Sequence, residues 1–278
     1  MRAAGSKAKR RNKYDDDMND APIGVFDSGL GGLTVWSELR RKLPAESLVY
    51  YGDGKNCPYG DKSSGEVREH VDFAVKRLLD RGVKLIVVAC NAATAMTIDH
   101  LRATYPVPFV GLEPAVKPAA LSSRSGVIGI LATAATLKGR LFRETSQRYA
   151  DRVRILSRVG EGFVELVESN REDSDEALAT VRRQIEPMIE AGADRIVLGC
   201  THYPFLASAM RRVIGDRDIE LVNPAPAVER HTETLLRELG LASAAGHAPR
   251  YEFMTSADEA YLSRLIAKSD EAAVADFG

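Results

Sequence analysis

The stretch IGVFDSGLGGL, Ile23 to Leu33, runs from consecutive apolar or small residues into a short polar turn and then into glycines that open a helical pattern. Apolar residues on consecutive rather than alternate positions mark a strand buried on both faces, as in a parallel sheet covered by helices. The same signature recurs at Leu48 to Tyr51, Leu85 to Val88, Phe109 to Leu112, Val127 to Leu131, Val153 to Leu156, Ile196 to Leu198 and Ile219 to Val222. Helical patterns such as Ser64 to Asp80 lie between these runs. This alternation predicts an α/β fold whose ligands bind outside the carboxyl ends of the strands.

Comparison of those carboxyl ends reveals a repeat. IGILATAATLKGRL, Ile128 to Leu141, has the strand, small polar turn and helix start of the opening stretch, and VVACNAAT (Val87 to Thr94) matches IVLGCTHYP (Ile196 to Pro204) as a strand ending in cysteine plus a hydrogen-bonding residue. Cys90 follows Asp27 by 63 residues and Cys200 follows Thr133 by 67. Two pseudosymmetric α/β domains are expected, each a mostly parallel sheet flanked by helices, with a thiol at the end of its third strand and the active site in the cleft between them.

Composition narrows the function. The chain has 278 residues, 45% hydrophobic and 28% charged, enough to bury a sizeable core. No stretch reaches the ~18 apolar residues of a membrane span, so no membrane partner is expected. The 38 Lys and Arg nearly balance 39 Asp and Glu, which argues against nucleic acid and for a small-molecule partner. Three cysteines without a C-x-x-C pair argue against zinc and disulfides and for a reducing, cytoplasmic setting. Residues 1–20, a basic run followed by an acidic one, read as a disordered tail.

A lone cysteine closing a buried strand is most often a core residue. Two, each followed by a polar residue (Asn91, Thr201) and each before an expected helix N-terminus that would lower the thiol pKa, suit another task. Facing thiols can remove a proton from one side of a carbon and return one to the other, which is racemisation or epimerisation. Asp27 could accept an ammonium group or steer a proton near Cys90, and His202 could ionise or reprotonate Cys200. Their alternatives are a helix cap for Asp27 with Ser28 and a hydrogen-bonded loop residue for His202. Gly29-Leu30-Gly31-Gly32, with Asp53 closing the next strand, also permits a dinucleotide site, but Thr34 occupies the third glycine position and Asp27-Ser28 the phosphate turn. The glycines are expected to let the backbone approach a small anionic ligand, a carboxylate received by helix N–H groups.

Phe26 to Gly32, Pro58-Tyr59-Gly60, Ala89-Cys90-Asn91, Pro108 to Glu113 and Leu198 to Pro204 together resemble glutamate racemase, of the aspartate/glutamate racemase family. The resemblance runs from about Pro22 to about Leu265. It implies interconversion of L- and D-glutamate for peptidoglycan synthesis, without metal or pyridoxal phosphate. It also implies that the chain returns to the first domain near its end, giving domains of residues 21–115 with 224–278, and 116–223. Cys90 would take the α-proton from D-glutamate and Cys200 from L-glutamate. Asp27 and Ser28 would stand on the Cys90 side and His202 on the Cys200 side. Tyr59, Gly60, Asn91, Thr201 and His202 would surround the substrate. Glu168 matches a position where some members carry a relevant carboxylate, although an exposed helical glutamate is the commoner case. Ala92 stands where most members have threonine, so its backbone N–H or Thr94 must serve instead, and Asn223-Pro224-Ala225-Pro226 replaces a more usual Asp-Ser-Gly. Cys57 is read as a bystander near the site. A homodimer is expected, and a peptidoglycan-precursor activator, which some members with an N-terminal extension require, is a candidate partner. The alternatives are an aspartate racemase of the same superfamily and a non-catalytic binding protein on this fold with a gyrase-type partner.

Overall fold

The computed structural model describes residues 19–274, so residues 1–18 of the expected 1–20 tail lie outside them, while Asn19 and Asp20 are ordered against the fold rather than part of a tail. Nine strands are formed among the described residues: β1 (Ile23–Asp27), β2 (Leu48–Gly52), β3 (Leu85–Val88), β4 (Phe109–Gly111), β5 (Val127–Ala132), β6 (Arg154–Val159), β7 (Arg195–Gly199), β8 (Glu220–Val222) and β9 (Tyr251–Thr255). They build two sheets, one in the order β4-β3-β1-β2-β9 and the other β6-β5-β7-β8, with every strand pairing parallel. The expected α/β fold with two pseudosymmetric sheets is therefore present. β5, β6, β7 and β8 repeat the spatial order of β1, β2, β3 and β4.

Each sheet carries a core on both faces, because successive side chains of a strand point to opposite sides. In the first sheet, Ile23 and Val25 pack with Trp36 and Leu265, while Phe26, Val49 and Val88 pack with Val71 and Leu101 on the other face. In the second, Leu131 and Leu198 pack with Phe163 and Ile185, and Ile128 and Ile130 with Val116 and Phe142. No described helix is long and apolar enough to cross a membrane.

The helix expected over Ser64 to Asp80 forms at Ser64–Leu79, and its start is written in the chain chemistry. Ser63 Oγ accepts from the Glu66 N–H at 3.3 Å while the Glu66 carboxylate accepts from the Ser63 N–H at 3.0 Å, satisfying two orphan donors at once.

Two strands depart from the expectation. β6 is an edge strand with Arg154, Arg158 and Val159 exposed, so it is not buried on both faces. β9, which the apolar runs did not reveal, adds to the far edge of the first sheet beside β2. Its partly exposed sequence, YEFMT, lacks the unbroken apolar run of a central strand. Through β9 and the helix Glu259–Val274 the chain returns to the first sheet, whose Leu265 side chain joins that sheet's core. The chain is also anchored at its described start, where the Asn19 carbonyl accepts from Ser243 Oγ at 3.0 Å and from the Lys84 ammonium. Lys84 is itself paired with Glu46 at 2.6 Å, both side chains being buried.

The turn entering β5 is organised by Asp194, which accepts from Ser123 Oγ at 2.7 Å and from the N–H groups of Arg124 and Ser125 at 2.6 and 3.1 Å. Desolvation pushes this carboxyl up, but those hydrogen bonds outweigh it and hold the pKa down at about 2. A depressed folded-state pKa stabilises above the unfolded value, and the contribution fades as the pH falls toward the folded value. Asp194→Asn is therefore expected to lower the urea unfolding midpoint at pH 6, and the gap to wild type should narrow steadily between about pH 4 and about pH 2. A pH-independent gap would show that the carboxylate charge is not what orders this turn.

Candidate functional site

Both sheets place their cysteine by the same rule. The order of strands reverses between β1 and β3 in the first sheet and between β5 and β7 in the second, and crevices form at such reversals beyond the carboxyl ends. Cys90 follows β3 and Cys200 follows β7. A small cavity of about 10 Å³ between the two sheets is lined by both thiols. Ser28, Tyr59, Gly60, Asn91 and Ala92 line it from the first sheet's side, and Thr201 and His202 from the second's. Asp27, also expected at the substrate, does not line this cavity. Thr133, at the end of β5, and Val164, in the helix Phe163–Glu168, also line it; the sequence had given neither a role.

Cys90 caps the helix Asn91–Thr104, its Sγ accepting from the Ala93 N–H at 3.4 Å. Its thiol donates toward Ser28 Oγ at 3.7 Å. The expected lowering of the Cys90 pKa by this helix end does not occur: burial, reinforced by the Asp27 charge, pushes the thiol up. Cys200 does not precede an α-helix directly. A turn and the short 3-10 helix Tyr203–Leu206 separate it from the helix Ala207–Ile214.

Asn91 donates through Nδ2 to the Leu112 carbonyl at 3.4 Å, and its Oδ1 is buried without a partner. A buried acceptor on the cavity wall is available for a ligand donor. Tyr59 contributes its ring, because its hydroxyl donates to Asp53 Oδ2 at 2.5 Å. Asp53 also holds Asn56 and Ser256, so it is committed to this turn rather than to a ribose. The Thr94 hydroxyl is committed as well, donating to the Val88 carbonyl at 3.2 Å and accepting from the Leu112 N–H at 3.0 Å. It cannot replace the hydroxyl that Ala92 lacks. Asn223 Oδ1 accepts from the Ala225 N–H at 3.0 Å at the start of the helix Ala225–Glu238.

Asp27 is completely buried beneath the glycine turn and accepts from the N–H groups of Gly29 and Gly32, both at 3.0 Å. Burial raises its pKa. Thr201 Oγ1 reaches it from the other side of the cleft at 3.3 Å. Asp27 thus holds the glycine turn that precedes the helix Leu33–Lys42, whose N-cap is Gly32 without a side-chain cap, and adds a cross-cleft bond.

Glu168, expected to be an exposed helical residue in the common case, is the hub of the contact between the two sides. Its Oε1 accepts from the Leu30 N–H at 2.8 Å and lies 2.6 Å from His202 Nε2. Its Oε2 accepts from the Tyr261 hydroxyl at 3.0 Å, and its main-chain carbonyl from Arg264 at 3.1 Å. His202 Nδ1 lies 3.8 Å from Cys200 Sγ. Burial alone would lower the His202 pKa, but its bonds to Cys200, Cys57 and Glu168 raise it well above the ordinary value. Burial likewise pushes Glu168 up, and His202 overrides it, so that the carboxyl is lowered and the pair is an imidazolium against a carboxylate.

The glycines serve this contact, which corrects the expectation that they receive a ligand carboxylate. The N–H groups of Gly29, Leu30 and Gly32 already receive carboxylates of the protein itself, those of Asp27 and Glu168. A Cβ on Gly29 would overlap Glu168, and one on Gly31 would overlap His202 and Thr201.

The family profile described as Asp/Glu/Hydantoin racemase matches residues 35–232. A glutamate racemase of Deinococcus radiodurans is 45% identical over 247 residues, covering 88% of this chain and 85% of its own. This chain belongs to the aspartate/glutamate racemase family. A further family member, the Roseiflexus sp. glutamate racemase, is 46% identical over 226 residues, 81% of this chain and 83% of its own. Among solved structures of the family, glutamate racemase RacE1 of Bacillus anthracis superposes with a TM-score of 0.81 at 30% identity, over 90% of this chain and 94% of that one. The Escherichia coli enzyme, solved with L-glutamate and the activator UDP-MurNAc-ala, gives a TM-score of 0.77 at 32% identity over 89% and 95%.

Two glycines separate close approach from simple helix propensity. Gly31→Ala should destabilise by about 1–3 kcal/mol through overpacking against His202 and lower racemase activity. Gly65→Ala, in the helix Ser64–Leu79 with its nearest outside atom 4.0 Å from the new Cβ, should raise stability by about 0.4–1 kcal/mol and leave activity unchanged. Thermal melting and turnover of both variants check the contrast.

Proposed function

We propose that this chain interconverts L- and D-glutamate by a two-thiol mechanism at the cleft between residues 21–115 with 224–278 and residues 116–223. The carrying observation is that Cys90 and Cys200 line one cavity from equivalent positions on two pseudosymmetric sheets. One cysteine, as thiolate, removes the α-proton; the opposite thiol donates a proton to the other face of the resulting carbanion. The order reverses for the other enantiomer. Cys90 serves D-glutamate and Cys200 L-glutamate.

The surrounding groups have parts suited to their chemistry. The unpartnered Asn91 Oδ1 accepts from the substrate ammonium. Ala92 lies in the first turn of its helix, where N–H groups have no intrahelical partner, and this backbone donor takes over from the missing hydroxyl in binding a carboxylate. Ser28 hydrogen-bonds Cys90, and His202 exchanges a proton with Cys200 through Nδ1. Glu168 is a positioning residue that fixes the imidazole through Nε2, and Asp27 steadies the turn carrying Ser28. Glutamate rather than aspartate is supported by the names of the relatives and by the glutamate bound in the Escherichia coli structure. The activator UDP-MurNAc-ala bound there supports a peptidoglycan precursor as a second ligand for this chain.

Loss of rotation by L-glutamate, followed by circular dichroism, tests the reading. Cys90→Ser and Cys200→Ser should each reduce racemisation by about 10³-fold or more while keeping the wild-type fold. Near-wild-type turnover in both directions by either variant would overturn the two-thiol mechanism, and faster turnover of aspartate would overturn the substrate. His202→Asn should slow proton abstraction from L-glutamate more than from D-glutamate, read from α-deuterium isotope effects in each direction. Unchanged effects in both directions would remove the side-specific part of His202.

A further inference from the structure

Cys57, Glu168 and His202 bring a thiol, a carboxylate and an imidazole together, with all three donor atoms within 4.8 Å of one another. Cys57 belongs to the loop after β2, whereas Glu168 and His202 come from the second sheet's side. Cys57 Sγ is 3.6 Å from Glu168 Oε1, and His202 Nε2 is 2.6 Å from the same oxygen. Tetrahedral zinc, with bonds of roughly 2.3 Å to sulfur and roughly 2.0–2.2 Å to nitrogen and oxygen, sets its donors roughly 3.3–3.6 Å apart. The sulfur–oxygen separation already has that value, and the imidazole–carboxylate pair needs to part by roughly 0.7 Å. A mixed sulfur, nitrogen and oxygen set suits zinc and excludes the hard cations magnesium and calcium.

We propose that Cys57, Glu168 and His202 form an inhibitory site for zinc and divalent cations of similar softness. Three protein ligands leave the fourth position open, the coordination of an exchangeable ion rather than a structural one. On binding, the metal–sulfur bond replaces the Cys57 S–H bond and the thiol proton passes to solvent. The metal–nitrogen bond occupies Nε2, and any proton there is likewise released. His202 then keeps a proton only on Nδ1, facing Cys200, and its other nitrogen is blocked, so the ring neither accepts a proton nor passes one on. The inhibition rests on the proton role given to His202 above, whereas the binding does not. The ion also ties the Cys57 loop to the opposite side of the cleft. The sequence offered no zinc signature because the ligands stand 111 and 34 residues apart in the chain.

The test uses the full-length protein, free zinc set by a chelator buffer, and Cys57→Ser beside wild type. Zinc should inhibit wild type reversibly, and Cys57→Ser should need about tenfold or more free zinc for the same loss. Cobalt(II) titration reports binding without reference to activity. A thiolate-to-cobalt charge-transfer band should form in wild type and in Cys90→Ser and be missing in Cys57→Ser. Equal zinc sensitivity of wild type and Cys57→Ser, or a band that survives Cys57→Ser and vanishes with Cys90→Ser, would put the ion on the cavity thiols and overturn the proposal. A Cys57-dependent band without loss of activity would overturn the inhibition and the proton role of His202 together, leaving the two-thiol reading to its own test.

Discussion

The Glu168 carboxylate accepts from a main-chain N–H, an imidazole and a phenol that come from three separate parts of the chain. A charged group taken from water is tolerated only when its acceptor positions are filled, so these partners hold one another in place. Leu30 fixes the glycine turn, His202 fixes the approach to Cys200, and Tyr261 brings in the last helix. The Asp27–Thr201 bond is a second crossing of the same cleft, and its carboxylate orders the turn on which Leu30 sits. The two sides of the cleft are thus joined through carboxylates that accept from donors on both.

The duplication of the sheet explains why the site is built from unlike residues at like places. In both halves the third strand lies beside the first, at the point of strand-order reversal, and its end delivers a cysteine. The residues ending the first strands have diverged: Asp27 is buried under a turn, whereas Thr133 caps the short helix Ala134–Lys138 with its hydroxyl. The symmetric scaffold brings a thiol to one cavity from each side, and the differing neighbours give each thiol its own hydrogen-bonding partner. Ser28 stands by Cys90 and His202 by Cys200.

The central strands and both thiols were readable in the chain because buried parallel strands leave unbroken apolar runs and because the two cysteines close such runs. β9 was hidden by its position at an edge, where exposure mixes polar residues into the strand. Glu168 looked like an ordinary helical carboxylate, since nothing local distinguishes a glutamate facing solvent from one facing another sheet. Tyr261 carried no signal at all, since its hydroxyl bond reaches a residue 93 positions away. The glycine turn was recognised and given the wrong partner: local sequence reveals that something comes close to Gly29 and Gly31, but only the assembled fold reveals that it is Glu168 and His202.

The first sheet is interrupted in the chain by the whole of the second and completed by β9 and the helix that carries Tyr261 and Arg264. During synthesis β1 to β4 leave the ribosome well before their last strand, and the second sheet is finished in between. Both cysteines are therefore present in a nascent chain that still lacks the phenol and guanidinium holding Glu168. The cleft acquires its full set of contacts only when the final helix docks.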